Sequence, residues 1–135
     1  MATTAAETEE REVLDAIEQV FEGMRQADSA MVREVFAPDA RFMVLQGGSP
    51  VIEVRSPERW LDAIDSSGGK WDEQIYDVEM RVDGAMASAW VPYTFYRDGA
   101  LSHCGVNSIE LLRDTEGWKV TQISDTRYRE DCPER

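Results

Sequence analysis

The chain has 135 residues, 42% of them hydrophobic, which predicts one domain with a core that needs no metal or disulfide support. Its 27 acidic against 14 basic side chains give a net charge of −13, a field that repels nucleic acid and anionic membranes alike. No apolar run reaches the length of a membrane span, and Met1–Glu10 has neither the basic nor the apolar region of a signal peptide, so the expected location is the cytoplasm.

Thr4-Ala-Ala-Glu7 has the form of a helix capping box, and behind it Val13, Ile17, Val20, Phe21 and Met24 recur at helical spacing. This predicts one amphipathic helix to about Ala27. Asp28 or Ser29 can cap a second, shorter helix carrying Met31, Val35 and Phe36, with Pro38 as its stop. Arg41–Leu45 reads as a strand, 46–50 as a turn and Val51–Val54 as a second short strand. Ser56-Pro57 then sets an N-cap before a first-turn proline, and Trp60, Leu61 and Ile64 form the stripe of a third helix that ends at 66–69.

From there the period becomes two. Hairpin signals at Asp83-Gly84 and Asp98-Gly99 and a turn at 114–117 divide the rest into four strands, about 74–82, 85–96, 101–113 and 118–128. Residues 1–6 and 129–135 are expected as tails. Helices followed by an antiparallel meander predict an α+β domain. A curved sheet wraps the long N-terminal helix and two shorter ones, forming a cone with a pocket.

Two places break the alternation. Pairing through the two hairpins makes odd positions of the strand 85–96 face inward early and even ones late, which one bulge at Pro92 would reconcile. In the last strand Trp118, Val120 and Ile123 all suit the core, which strict alternation forbids. A bulge at Thr121–Gln122 buries all three and turns Asp125 and Arg127 inward.

The run His103-Cys-Gly-Val-Asn-Ser108, with Gly117-Trp-Lys-Val120 and Ile123-Ser-Asp-Thr126, resembles bacterial nuclear transport factor 2-like proteins, including the SnoaL-like and ketosteroid-isomerase-like groups. Ala27-Asp28 leading to Phe36-Ala-Pro-Asp-Ala40 looks like the usual opening of that superfamily. The resemblance spans about Glu9 to Arg127. It implies a pocket between the long helix and the sheet, and often a dimer formed through the sheet. Ketosteroid isomerases would need a tyrosine on the first helix, where this chain offers Phe21 or Met24. Polyketide cyclases of the SnoaL group use an acid on a late strand, a position that Asp125 could match. The scaffold hosts many chemistries, so the resemblance speaks to fold more than to function.

Candidate site residues follow from the faces. His103 is the only histidine and titrates near neutrality, so it is a candidate acid or base, or else an inert histidine at the rim. Asn107 shares its strand face, and Asp125 lies across on the next strand within reach of the same small ligand, unless a salt bridge to Arg127 or Arg129 occupies it. Phe21, Tyr76 and Trp90 are candidate apolar walls, and Gly105 would leave room for a ligand against the sheet. Val91, Tyr93, Phe95, Cys104 and Val106 are expected on the outer face as a homodimer surface. Cys104 and Cys132 are expected as two free thiols. No C-x-x-C spacing, phosphate loop or Ser/His/Asp order is present, so no metal and no cofactor is expected. Three readings remain: an acid–base enzyme of isomerase, cyclase or dehydratase type on a small, mostly apolar molecule; a ligand-binding module without turnover; and a structural or adaptor homodimer.

Overall fold

A computed structural model describes residues 4–133. Helix α1 (Ala5–Arg25) begins where the Thr4 side chain accepts the Glu7 amide at 3.0 Å, and its apolar stripe of Val13, Ile17, Val20, Phe21 and Met24 is buried. Ser56 caps α3 (Pro57–Ser66) as expected, and of the two candidate caps for α2 (Ser29–Arg33) Asp28 is the one used. Helix α2 ends before Val35 and Phe36, which were expected on it, and Phe36 and Pro38 lie in the first strand instead. No helix among the described residues is long and apolar enough to cross a membrane. Of the expected tails, 1–3 and 134–135 lie outside the described residues.

Seven strands form one curved sheet: β1 (Phe36–Gln46), β2 (Glu53–Arg55), β3 (Trp71–Ile75), β4 (Glu79–Asp83), β5 (Met86–Arg97), β6 (Ala100–Asp114) and β7 (Gly117–Arg127). Their order is β2-β1-β7-β6-β5-β3, with β4 also pairing β5. All pairings are antiparallel except that of β1 with β7, which makes the sheet mixed. The apolar stripe of α1 lies in the hollow of this sheet and shares one core with Val44, Val91, Ile109, Leu111 and Val120.

The bulge expected in the last strand is present. Gln122 pairs with Glu110 and Val120 with Leu111, which leaves Thr121 as the extra residue, and its hydroxyl donates to the Glu110 carbonyl at 3.2 Å. Trp118, Val120 and Ile123 are all buried in consequence. The bulge expected at Pro92 is not in that strand. Odd positions of β5 stay inward throughout, and the irregularities fall on its two partners. On one side Phe95 pairs with His103 and Tyr96 with Leu101, so Ser102 of β6 is the extra residue. On the other, the single strand expected over 74–82 is two, broken at residues 76–78, where Asp77 takes a φ of 48° and the Pro92 carbonyl accepts the Tyr76 amide at 3.1 Å. The first hairpin turns on Gly84-Ala85 rather than Asp83-Gly84, so Val82 pairs with Ala87, a two-residue shift that leaves every face unchanged.

Unbroken alternation in β5 overturns the expected outer face. Val91, Tyr93 and Phe95 are inside, in the core, and the outer face instead exposes apolar residues such as Met86, Trp90, Leu101 and Leu112. Cys104 and Val106 do lie on the outer side. Residues 128–133 fold back there: Tyr128 bridges to Cys104 through two backbone hydrogen bonds of 2.9 and 2.8 Å, and Thr94 is fully buried beneath them. That return brings Cys132 over Cys104, and the two form a disulfide with a Cα–Cα distance of 5.7 Å. The expectation of two free thiols is therefore wrong, because the last residues lie on the sheet rather than beyond it. A thiol titration of the denatured protein should find no reactive thiol without reductant and two after reduction. Replacing both cysteines by alanine should lower stability by about 3 kcal/mol, from the loss of a cross-link spanning 28 residues. Two titratable thiols before reduction would contradict the bond.

Candidate functional site

Curvature of the sheet leaves part of its concave face uncovered by α1, and a cavity of about 520 Å³ fills the gap under α3. Val20, Phe21 and Met24 of α1 wall one side. Trp60 of α3 and Phe42 of β1 wall another, with their rings edge to face at 5.3 Å. Trp71 and Phe95 meet edge to face at 6.2 Å on the β3 and β5 side. Volume and lining suit a small, partly aromatic molecule.

Polar groups gather on the strand side. The two bulges decide this: Ser102 brings His103 beneath Phe95, where the rings stack at 4.9 Å, and Thr121 turns Asp125 and Arg127 inward. Asn107 pairs directly with Asp125 across β6 and β7. Its Nδ2 donates to Glu73 Oε2 at 2.8 Å, so Asn107 stands between two carboxyls. Asp125 accepts from Arg127 Nε at 2.9 Å. The Nδ1 of His103 lies 3.0 Å from the Ser102 hydroxyl.

Burial divides the protonation states of these groups. Glu73 is buried without a cation on its carboxyl, so its pKa rises to about 8, against a smaller lowering by the Asn107 hydrogen bond. It carries its proton at neutral pH. Burial also raises Asp125, but the hydrogen bond and charge of Arg127 oppose the shift. His103 is pushed down to about 4, first by burial and then by the charges of Arg127, Arg129 and Arg97, so its imidazole is neutral. Among the described residues no group of three or more His, Cys, Asp or Glu side chains is arranged to hold a metal ion.

Four of the expected site residues, Phe21, His103, Asn107 and Asp125, do line this cavity. Trp90 does not. As an even position of an unbroken β5 it faces outward and is 55% exposed. Tyr76 falls in the break between β3 and β4, half-buried and away from the cavity lining. Gly105 has a different reason from the one expected. The backbone of Thr126 crosses so close that a Cβ there would collide with its carbonyl group, and that carbonyl accepts the Tyr93 hydroxyl at 2.7 Å. Glu73 is the residue that sequence reasoning missed. The pattern Trp71, Glu73, Ile75 at alternate positions would have revealed a carboxyl on an apolar strand face, had the strand been started at Trp71.

Residues 8–122 match the family described as "Putative lumazine-binding". No curated protein matches the sequence. Among solved structures, a nuclear transport factor 2-like protein of unknown function from Shewanella baltica superposes with a TM-score of 0.71 at 17% identity, over 94% of this chain and 98% of that one. Another such protein, with a cystatin-like fold, from Novosphingobium aromaticivorans gives 0.72 at 14% identity, over 93% and 85%. A "putative dehydratase" of the same superfamily from Streptomyces avermitilis gives 0.70 at 16%, over 92% and 99%. At such identities the likeness is one of fold.

Glu73 makes stability depend on pH in a stated direction. Unfolded, it loses its proton near 4.5; folded, near 8. Between these values the folded state holds the extra proton, so this group's contribution to stability falls as pH rises from about 4.5 to about 8. His103 acts oppositely, between about 6.5 and 4, and its effect cancels when two proteins that both carry it are compared. Glu73→Gln should therefore match the wild type below pH 4 and exceed it by on the order of a few kcal/mol at pH 8, measured by urea denaturation. Parallel stability curves across this range would show that Glu73 is not held neutral.

Proposed function

The chain belongs to the lumazine-binding-like family within the nuclear transport factor 2-like superfamily, and from that premise we propose that its cavity binds a small, mostly apolar molecule and moves protons on it. One observation carries the reading. Two carboxyls with different partners flank Asn107: Glu73, raised by burial to about 8 with only the Asn107 amide on it, and Asp125, also raised by burial but paired with the Arg127 guanidinium. A cation on one acid and none on the other is an arrangement that lets a pair divide the roles of base and acid. In this assignment Asp125 takes a proton from a carbon next to a carbonyl, and Glu73 gives its own to the carbonyl oxygen, which yields the enol. The neutral His103 orients the substrate through a hydrogen bond. Isomerase, cyclase and dehydratase chemistries all begin from such a step, and one similar fold is named as a dehydratase.

With 2-tetralone as probe in D₂O, the protein should accelerate exchange of the protons next to the carbonyl, followed by NMR. Asp125→Asn should slow the exchange by about a hundredfold or more while quenching of the cavity tryptophans by the probe persists. Quenching without exchange would favour the binding module that the family description suggests. Absence of both would leave the cavity a by-product of the fold.

A disulfide persists in oxidising compartments and is rare in reducing cytoplasm, so the expected cytoplasmic location requires Cys104 and Cys132 to be reduced there. For assembly, the proposed occupant of the outer sheet face is a second copy, through Met86, Trp90 and Leu112, which are 57%, 55% and 50% exposed. Sedimentation should give a dimer at micromolar concentration, and Trp90→Glu a monomer. A monomeric wild type would overturn this assignment.

A further inference from the structure

The ionisable side chains that line the cavity are Arg55, Arg59, Arg97, Arg127, His103, Glu73 and Asp125. Four arginines against two acids invert the balance of the chain, in which 27 acids face 14 bases. The inversion deepens once partners are counted. Glu73 holds its proton, Asp125 is taken by Arg127, and Arg55 is taken by Glu53 at 2.7 Å. Among the described residues no ion pair occupies Arg59 or Arg97. Both are exposed, whereas Glu73 and Asn107 are buried, so the free positive charge lies on the solvent side of the cavity and the neutral hydrogen-bonding groups lie at its depth.

Arg97 is held where a ligand could use it. Its guanidinium carbon sits 5.6 Å from the Trp71 ring centroid and 5.9 Å from that of Phe95, both cavity walls. Arg59 approaches from α3, beside Trp60. The two come from different elements, both line the same cavity while exposed to solvent, and each stands next to an aromatic wall. Arg97 is close enough to the cavity wall that its charge adds to the lowering of His103, after burial, Arg127 and Arg129.

We propose that the ligand of this cavity is a ring compound carrying a carboxylate, its ring among Phe21, Phe42, Trp60 and Phe95 and its charge met at the opening by Arg59 and Arg97. The proposal rests on the reading of the cavity as a small-molecule site and specifies its substrate class. Planar guanidinium groups match a carboxylate in charge and geometry, and an apolar molecule without the charge leaves both arginines unanswered. The net charge of −13 opposes an approaching anion, so the attraction must come from these arginines at close range.

The test compares two probes of nearly equal size, 2-naphthoate and neutral 2-naphthalenemethanol, by quenching of tryptophan fluorescence. Naphthoate should bind about tenfold or more tightly at low salt, and added salt should shrink the gap because the opening is solvated. Arg59→Gln with Arg97→Gln should abolish the preference while the alcohol binds as before, with folding checked by circular dichroism. Equal or tighter binding of the alcohol to the wild type would overturn the carboxylate assignment and leave the small-molecule site standing. If neither probe binds, both fall together.

Discussion

Side chains on a strand alternate with a period of two, so one extra residue reverses every face beyond it. In β7 that residue is Thr121. Without it, burying Trp118 and Val120 would send Ile123, Asp125 and Arg127 to the outer face. With it, the same strand contributes core at one end and charged cavity wall at the other. Ser102 does the same for β6 and seats His103 against Phe95. Bulges also bend strands, and a bent sheet cannot be covered along its whole length by a straight 21-residue helix. The cavity and its polar lining thus share one origin.

The geometry imposes a second demand, which is that the backbones near the bulged strands approach closely. Thr126 leans over Gly105, and Tyr93 spans the gap to bind its carbonyl, while the Thr126 hydroxyl accepts the Val106 amide at 3.1 Å. Absence of a side chain at Gly105 permits the approach, and the tyrosine above it covers the space. Further along, Tyr128 resumes pairing with Cys104, and the disulfide fixes the chain end over Thr94. His103 on one face of β6 and Cys104 on the other are thus held by different contacts, and Tyr93, which meets the His103 ring edge to face at 5.7 Å and donates to the Thr126 carbonyl, links the two sides.

How much of this was legible in the sequence depends on whether the deciding interaction was local. Helix caps are three-residue events, and those at Thr4 and Ser56 were readable in full, while that of α2 was narrowed to Asp28 or Ser29. The Thr121 bulge was readable because three large apolar residues within six positions leave no other solution. Pro92 misled because a proline suggests where a ladder fails but not which strand takes the extra residue; here the partners did, at Ser102 and at residues 76–78. Trp90 and the outer-face residues followed that error. The disulfide and the parallel pairing of β1 with β7 were not readable, since each joins segments that carry no mutual signal in spacing. Glu73 lay between these cases, hidden by a strand boundary set three residues late.

The charges of the cavity have a common explanation. Burying an ionised group without a partner costs several kcal/mol, so each group here takes the state that its surroundings allow. Glu73, with an amide for company, is pushed up by burial to about 8; Asp125 is pushed up less freely because a guanidinium pairs with it; His103 is pushed down to about 4 by burial and then by nearby arginines. No buried charge is left unanswered at depth. On the solvent side water can answer charge cheaply, and there Arg59 and Arg97 have no carboxylate partner among the described residues, whereas Arg55 has Glu53. An entering anion would therefore displace weakly held water at Arg59 and Arg97 while the apolar part of the ligand leaves water for the aromatic walls. At the deep end the two carboxyls differ in partner, Glu73 facing the Asn107 amide and Asp125 the Arg127 guanidinium.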